Sequence, residues 1–511
     1  MTGSSQNAST AASARSLAEL TAGLVDVPAS IVVTDVTIDS RAASPGALFL
    51  ACRGRTHHGL EFAKQAVARG ARAVLYESAD ARGVPDFGSE IFVAAVPDLS
   101  RHVGTIADRF FGSPSQAITV AGITGTNGKT TCAYLLAQAL SFLGKPAAYA
   151  GTLGFGLPGA LTPSEHTTSD AVTVHRRLDQ LRAQGAGYVC MEVSSHALDQ
   201  DRVAGVRFHT AVFTNLTRDH LDYHGTMESY AAAKALLFAW SSLVLRIINI
   251  DDAFGNKLAA RSSEARLVVT SRHPFLPADA VPQARTAEFV RATSVRAQSA
   301  GLTIGIHSSW GDGELVVPLI GDFNVDNVLT VLAVLLAGDI PLAEAGRALA
   351  QCKPPSGRME RFGGGAKPLA IVDYAHSPDA LAKALRAARN HCSGKLHVVF
   401  GCGGDRDAGK RPQMGAIAAE LADELVITDD NPRTEDPQRI VADIRAGVAA
   451  KHAVHIEHDR RRAIQFALAR AVAGDVVVIA GKGHEDYQII GTQKRPFSDK
   501  CVVSEVLGKQ A

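Results

Sequence analysis

One stretch constrains the fold of this chain more than any other: Val120 to Leu140, reading VAGITGTNGKTTCAYLLAQAL. A short β-branched run over 117–121 leads into Gly122-Ile123-Thr124-Gly125-Thr126-Asn127-Gly128, and Lys129-Thr130-Thr131 opens an apolar helix. The order strand, glycine loop, helix suits an anion, because glycines let backbone N–H groups converge at the positive end of a helix. In such a loop Lys129 neutralises the β/γ-phosphates of a nucleotide and the Thr130 hydroxyl holds Mg²⁺. The usual first glycine, five residues before Gly128, is Ile123, so the stretch is a variant of the Walker A pattern. An ordinary strand–turn–helix corner has the same outline, but Gly-Lys-Thr seldom arises by chance with both flanking elements in place.

At 511 residues the chain is too long for one core, and two to four domains are expected. Apolar residues at 46% and charged ones at 20% describe ordinary globular material rather than disorder. Lys+Arg minus Asp+Glu is 52 − 51 = +1, so no basic excess favours nucleic acid, and anionic ligands must be held by local charge. The seven cysteines form no CxxC pair, which argues against a disulfide framework or zinc ribbon. Cys132 and Cys190 lie in apolar runs and read as small core residues of a reducing compartment. Residues 1–15 form a Ser/Ala/Thr-rich tail without the apolar segment of a signal peptide, and no 18-residue apolar span occurs. A cytoplasmic location follows as the expectation.

Residues 16–112 read as a small α/β domain with strands such as 47–50 and 73–76. Within it, Thr37-Ile38-Asp39-Ser40-Arg41 and Gly54-Arg55-Thr56-His57-His58-Gly59 can bind a ligand or merely build turns, and composition leaves both open. Residues 113–350 alternate strand and helix, implying a mostly parallel sheet covered on both faces. Strands near 117–121, 187–191 and 210–214 place Glu192-Val193-Ser194-Ser195-His196 and Thr214–Gly225 at strand ends, where ligands sit in such sheets. Glu192 is the natural hard-oxygen partner for Mg²⁺ beside the phosphate loop. Residues 351–511 form a second doubly wound α/β domain, with unusual residues again at strand ends: Asp373-Tyr374-Ala375-His376, Gly401–Arg406, Asp430-Asn431-Pro432-Arg433 and Gly481-Lys482-Gly483-His484-Glu485.

Taken together, Gly125–Thr131, Glu192–His196, Thr214–Gly225, Gly357-Arg358-Met359-Glu360, Asp373–His376 and Asp430–Arg433 resemble the Mur ligase family, in order and over nearly the whole chain from about residue 30. The resemblance implies three domains: one for a UDP-sugar, a central ATPase domain and a C-terminal Rossmann-like amino-acid domain. It implies an ATP-dependent, ADP-forming ligase of peptidoglycan synthesis. This enzyme would join meso-2,6-diaminopimelate to the D-Glu γ-carboxylate of UDP-N-acetylmuramoyl-L-Ala-D-Glu through an acyl phosphate. Bringing anions together in this way requires cations placed beforehand. The family further implies a second Mg²⁺ held by His220 and by Lys234 as a CO₂-derived carbamate. On the residues alone His220 can equally be a strand-end hydrogen-bonding group, and Lys234, on an apolar helical face, a snorkelling lysine.

Carried over position by position, the nucleotide would meet Gly125, Thr126, Asn127, Gly128, Lys129, Thr130 and Thr131, with Asn324 and Asn327 on the adenine side and Arg358 reaching phosphate from the third domain. The UDP-sugar dipeptide would lie along Ile38, Ser40, Arg55, Thr56 and His57, then His166 (Asn in familiar relatives), Thr167, Thr168, Ser194, Gln200 and Arg202. Diaminopimelate would meet Arg433, reinforced by Arg406, at its distal carboxylate, with Asp430, Asn431, Pro432, Gly481 and Glu485 around its ammonium and backbone. A monomer acting on small molecules is expected. Rival readings are a lysine-adding relative, a folylpolyglutamate synthase-like ligase, for which neither the first domain nor Asp430–Arg433 would be expected, and a non-catalytic nucleotide-binding regulator.

Overall fold

A computed structural model of the chain describes residues 14–508 except 55, 165, 276–279, 299, 300 and 451. Three sheets organise it. The first has four parallel strands in sequential order, β1 (Asp35–Thr37), β2 (Ala47–Ala51), β3 (Ala73–Glu77) and β4 (Phe92–Val96). Helix α1 (Leu99–Phe110) closes one face, burying Leu99, Val103, Ile106, Ala107 and Phe110 at helical spacing. Arg15, which the sequence places in the loose tail, pairs with Val33 beside this sheet.

The central sheet has ten strands. They are β5 (Thr119–Thr124), β6 (Ala147–Gly151), β7 (Gly154–Gly156), β8 (Tyr188–Glu192), β9 (Phe208–Phe213), β10 (Leu245–Asn249), β11 (Arg266–Ser271), β12 (Glu288–Gln298), β13 (Gly301–Ser308) and β14 (Gly311–Val317). Their order is β14-β13-β12-β11-β10-β9-β5-β8-β6-β7. The run from β12 to β6 is parallel, and β13, β14 and β7 add antiparallel edges. Strand β5 lies between β8 and β9, so the chain leaves it on one side and returns on the other. At such a reversal the loops after neighbouring strands open a crevice at the carboxyl ends. That brings Gly125–Gly128, Glu192–His196 and Thr214–His224 together.

Two helices apolar nearly all round, α2 (Lys129–Phe142) and α3 (Asn324–Ala337), cover one face of this sheet and start at the crevice. A helix without a polar stripe is stable only when enclosed, and each fully buried leucine, such as Leu135, Leu136 or Leu332, contributes about 1.5–3 kcal/mol. The parallel sheet matches the sequence reading. The antiparallel arm over 288–317 does not: Leu302, Ile304 and Ile306 lie on a strand paired antiparallel on both sides, a hairpin arrangement rather than strand and helix.

The third sheet runs β15 (Glu360–Gly363), β16 (Leu369–Asp373), β20 (Val476–Ala480), β17 (Leu396–Phe400), β18 (Glu424–Ile427) and β19 (Val454–Ile456). All but β15 are parallel. The carboxyl ends of β16, β20, β17 and β18 therefore stand side by side. A hairpin the sequence reading did not anticipate, β21 (Tyr487–Ile490) with β22 (Gln493–Pro496), stands next to them. Among the described residues no helix is long and apolar enough to cross a membrane.

Candidate functional site

The glycine loop is pinned to the end of β9 rather than free. Thr126 N donates to Asn215 O (2.8 Å), Asn127 N to Asn215 Oδ1 (2.9 Å), and Thr214 Oγ1 to Asn127 O (2.6 Å). Gly128, at φ +88°, caps α2, and a Cβ there would collide with Asn327 Oδ1, so only glycine suits this corner. The Lys129 ammonium folds back on the loop, donating to Gly125 O (2.8 Å) and Thr126 O (2.9 Å). Both asparagines sit at the start of α3: Asn327 Nδ2 donates to Asn324 Oδ1 (2.8 Å), and Asn324 Nδ2 to Ile320 O (2.7 Å).

Glu192, at the end of β8 and 1% exposed, is the hub of the crevice. Its Oε1 accepts from Tyr149 Oη and from Thr152 N (2.9 Å), and its Oε2 from Thr130 Oγ1 (2.9 Å) and Thr152 Oγ1 (3.3 Å). Burial and the neighbouring carboxylate push the Tyr149 hydroxyl well above its ordinary pKa, so it remains a donor. Thr167 Oγ1 hydrogen-bonds with Thr152 Oγ1 (3.0 Å), and Thr168 Oγ1 donates to Glu192 O (2.8 Å) and accepts from Ser194 N (3.1 Å). A Mg²⁺ with oxygen ligands at about 2.1 Å separates adjacent ligands by about 3 Å, and the Thr130 and Glu192 oxygens, 2.9 Å apart, have that spacing. The donor set fits the metal.

Lys234, on helix α4 (Met227–Ala235), is 1% exposed, so the snorkelling alternative does not hold. Its Nζ donates to Gly125 O (2.8 Å), the carbonyl that Lys129 also uses. Desolvation, and then the Lys129 charge, hold its pKa well below the usual lysine range. The Lys129 pKa is also lowered by desolvation, against the pull of Glu192 and Asp219. His220 is 46% exposed, with Nε2 3.5 Å from Asp219 Oδ2. Its ring lies 4.9 Å from His196 and 6.0 Å from Tyr230, while Lys234 Nζ lies 4.5 Å from the Tyr230 ring.

Arg358 acts electrostatically on two domains. Its guanidinium lies 4.8 Å from the Tyr374 ring, with Nε buried and unpartnered among the described residues, and its charge acts on Lys129 and Tyr149 on one side and Asp373 and His484 on the other. Asp373 holds the turn that carries it, accepting from Met359 N (2.8 Å) and Ala375 N (2.9 Å). Burial and then Arg358 lower the His484 pKa to about 4.

Beyond Tyr374 lies the 430–433 loop. Arg433 adopts φ +53° and donates through Nη1 to Gly404 O (2.9 Å); its N–H donates to Ile489 O (3.1 Å), tying the loop to the hairpin. Arg433 and the exposed Arg406 both flank Gly403. Pro432 contributes backbone that packs on Gly404, and Gly481, at φ +118°, leaves room for the buried Asp430 carboxylate. The Asn431 side chain is tied into the site itself: Oδ1 accepts from Ile489 N (2.9 Å) and Lys482 Nζ (3.1 Å), and Nδ2 donates to Glu485 Oε2 (3.0 Å).

A cleft of about 1140 Å³ separates the first sheet from the central domain, lined by Ile38, Ser40, His166, Gln200 and Arg202 together with Arg41, Arg53 and Arg101. It decides between the two readings of the 37–41 loop in part: Ser40 both faces the cleft and donates to Gln65 Oε1 (2.7 Å). His57 does not line it; its ring meets Glu61 (3.2 Å), and Thr56 is not part of the wall either. Arg55 lies outside the described residues.

Three family models match in sequence: "Mur ligase family, catalytic domain" over 32–105, "Mur ligase middle domain" over 123–335 and "Mur ligase, glutamate ligase domain" over 357–483. A protein of Ectopseudomonas mendocina (strain ymp) named UDP-N-acetylmuramoyl-L-alanyl-D-glutamate–2,6-diaminopimelate ligase is 48% identical over 477 residues, 93% of this chain and 95% of that one. The chain belongs to the Mur ligase family.

The protein of the same name from Pseudomonas aeruginosa (strain PAO1) is likewise 48% identical, over 92% of this Mur ligase and 94% of its own length. A solved structure bearing that name is 35% identical, covers 96% of this chain and 98% of its own, and superposes with a TM-score of 0.70. Two residues of this Mur ligase's crevice escaped sequence reasoning, Tyr149 and Thr152, which hold Glu192; Lys482 was noted at a strand end of the third domain, but not that it holds Glu485. Tyr149 lies within, and Thr152 just after, a strand whose Ala-rich run, 147–151, carries little β signal.

Proposed function

We propose that this Mur ligase is the ATP-dependent enzyme that joins meso-2,6-diaminopimelate to the D-Glu γ-carboxylate of UDP-N-acetylmuramoyl-L-Ala-D-Glu, in the cytoplasm, where ATP is supplied. The observation that carries the reading is Arg358, whose guanidinium lies 4.8 Å from the Tyr374 ring and whose charge acts on Lys129 of the phosphate loop, while Asp430 and Glu485 act on the same Tyr374. The 48% identity to proteins carrying that name supports it.

In this reading the γ-carboxylate attacks the γ-phosphorus of ATP, ADP leaves, and an acyl phosphate forms. The diaminopimelate amine, having lost a proton, attacks the acyl carbon, and phosphate departs from the tetrahedral intermediate. Lys129 turns from Gly125 O and Thr126 O to the phosphates, and Arg358 adds positive charge from the third domain. Backbone N–H groups of Gly125 to Gly128, with Thr131 behind them, cradle the phosphates, and Asn324 and Asn327 border the adenine. Mg²⁺ would be held by Thr130 and Glu192, supplying charge neutralisation at the phosphates. The sugar nucleotide occupies the cleft at Ile38, Ser40, His166, Gln200 and Arg202, and its peptide passes Thr167, Thr168 and Ser194. Arg433 and Arg406 receive the distal carboxylate; Asp430 and Glu485 receive the distal ammonium.

Lys234 is the residue we assign to a carbamate. A neutral amine adds CO₂ and releases a proton, and burial together with Lys129 favours the neutral amine. The product sets an anion beside Lys129 and offers an anionic oxygen that, with His220, would hold a second Mg²⁺. Carbon-13 NMR of protein equilibrated with labelled bicarbonate tests this: absence of a carbamate resonance that disappears in Lys234→Arg removes the assignment. The reaction itself is tested by phosphate release with all substrates present. Release should require the UDP-sugar dipeptide and diaminopimelate, and lysine in place of diaminopimelate should support little. Release indifferent to either substrate would overturn the reading.

A further inference from the structure

We infer that Lys482 is a positioning residue for amino-acid selection, aiming Glu485 so that the site recognises an ammonium at the far end of the incoming amino acid. The inference rests on the diaminopimelate reading above. Lys482 is 0% exposed, yet its side chain ends in an ammonium that touches no phosphate-loop residue. Nζ donates to Glu485 Oε2 (2.8 Å) and to Asn431 Oδ1 (3.1 Å). The remaining bonds close a network: Ile489 N fixes the same Asn431 oxygen, and Asn431 Nδ2 donates to the same Glu485 oxygen (3.0 Å). Glu485 Oε2 thus has two donors, while Oε1 takes none from the described residues and is left for a ligand.

Charge bookkeeping points the same way. Behind the loop, fully buried Arg460 holds fully buried Asp499 through two bonds (2.8 and 2.7 Å) and donates to Ala480 O (2.9 Å). Asp430, Glu485 and Asp499 against Lys482 and Arg460 leave one negative charge, which a single ligand ammonium balances. Buried charges persist only when paired. Without Lys482, Glu485 would lose one of the two donors that aim it, and the preference for an ammonium would fall with it. A lysine serves here because it reaches from the turn after β20, where Glu485 N donates to Lys482 O (2.9 Å), to both partners at once.

The test compares diaminopimelate with 2-aminopimelate, which keeps both carboxylates and the reacting amine but lacks the distal amine. The unaltered enzyme should favour diaminopimelate strongly in kcat/KM. Lys482→Met should reduce that ratio at least tenfold by raising KM for diaminopimelate, with KM for ATP unchanged within about twofold. Adding Glu485→Gln to Lys482→Met should reduce the ratio little further, because both act through one carboxylate. If Lys482→Met does not fold, Asn431→Ala removes the other donor to Glu485 without changing the charge and should also lower the ratio. Equal losses on both amino acids, or an unchanged ratio in a folded variant, would overturn the inference. An unaltered enzyme that releases no phosphate with diaminopimelate would instead overturn the functional reading beneath it.

Discussion

Replacing Glu192 separates the structural from the catalytic part of the crevice. In Glu192→Gln the amide oxygen can keep the bonds from Thr152 N and Tyr149 Oη, while its NH₂ faces Thr130 Oγ1 and Thr152 Oγ1, hydroxyls that rotate from donor to acceptor. No buried donor is orphaned, so stability should change by no more than about 1 kcal/mol. Glu192→Ala strands the Thr152 N–H, which cannot turn, and the Tyr149 hydroxyl in a buried site. At about 1–3 kcal/mol for each unsatisfied group, that costs about 2–6 kcal/mol, a large part of the 5–15 kcal/mol that ordinarily holds a domain folded. Activity should rank differently, because both variants lose the anionic oxygen beside Thr130. Phosphate release should fall at least about a hundredfold in each, equivalent to about 2.7 kcal/mol of transition-state stabilisation, and the Mg²⁺ needed for half-maximal rate should rise. Urea unfolding and a Mg²⁺ titration of phosphate release read the two effects separately. A Glu192→Gln enzyme with unaltered rate and Mg²⁺ dependence would refute the metal assignment. A Glu192→Ala protein as stable as its parent would refute the hydrogen-bond argument.

Three further outcomes are expected. Gly128→Ala places a Cβ at φ +88° against Asn327 Oδ1 and should cost about 1–3 kcal/mol and weaken ATP binding measured by calorimetry. Arg433→Ala should lower kcat/KM for diaminopimelate by about a hundredfold, two charge-assisted bonds at about 1.5 kcal/mol each, while ATP binding stays within about twofold. Asp326, its pKa raised by burial from 3.8 to about 6 despite Arg272, holds its proton in the folded state when the unfolded chain has released it. Stability from this group is therefore present below pH about 4 and lost as pH rises through about 6. Asp326→Asn should gain up to about 3 kcal/mol relative to the parent between those pH values in chemical unfolding; a gain on acidification instead would contradict the sign.

Legibility in the sequence differed with the kind of residue. The parallel strands of the central and third sheets show as short apolar runs, and the glycine loop shows because its backbone tolerates little else at Gly128. The antiparallel arm, 288–317, and the hairpin, 487–496, went unread: alternating polar and apolar residues on half-exposed strands imitate loops when helices are expected next. Among site residues, Glu192 was legible from its place at a strand end. Its partners Tyr149 and Thr152 were not, since they lie some 40 residues away and meet it only through the pairing of β8 with β6.

By itself, then, the amino-acid sequence determined the layered α/β architecture and the phosphate loop, because periodicity and glycine geometry are local properties, and the order of its motifs carried the resemblance to the Mur ligases. Tertiary structure alone decided which polar groups are desolvated and what each one touches. It buried Lys234 against a second ammonium, turned both ends of Asn431 inward, and set Lys482 behind Glu485. Desolvation and hydrogen-bond competition depend on what distant strands bring within about 3 Å, and no local pattern encodes that.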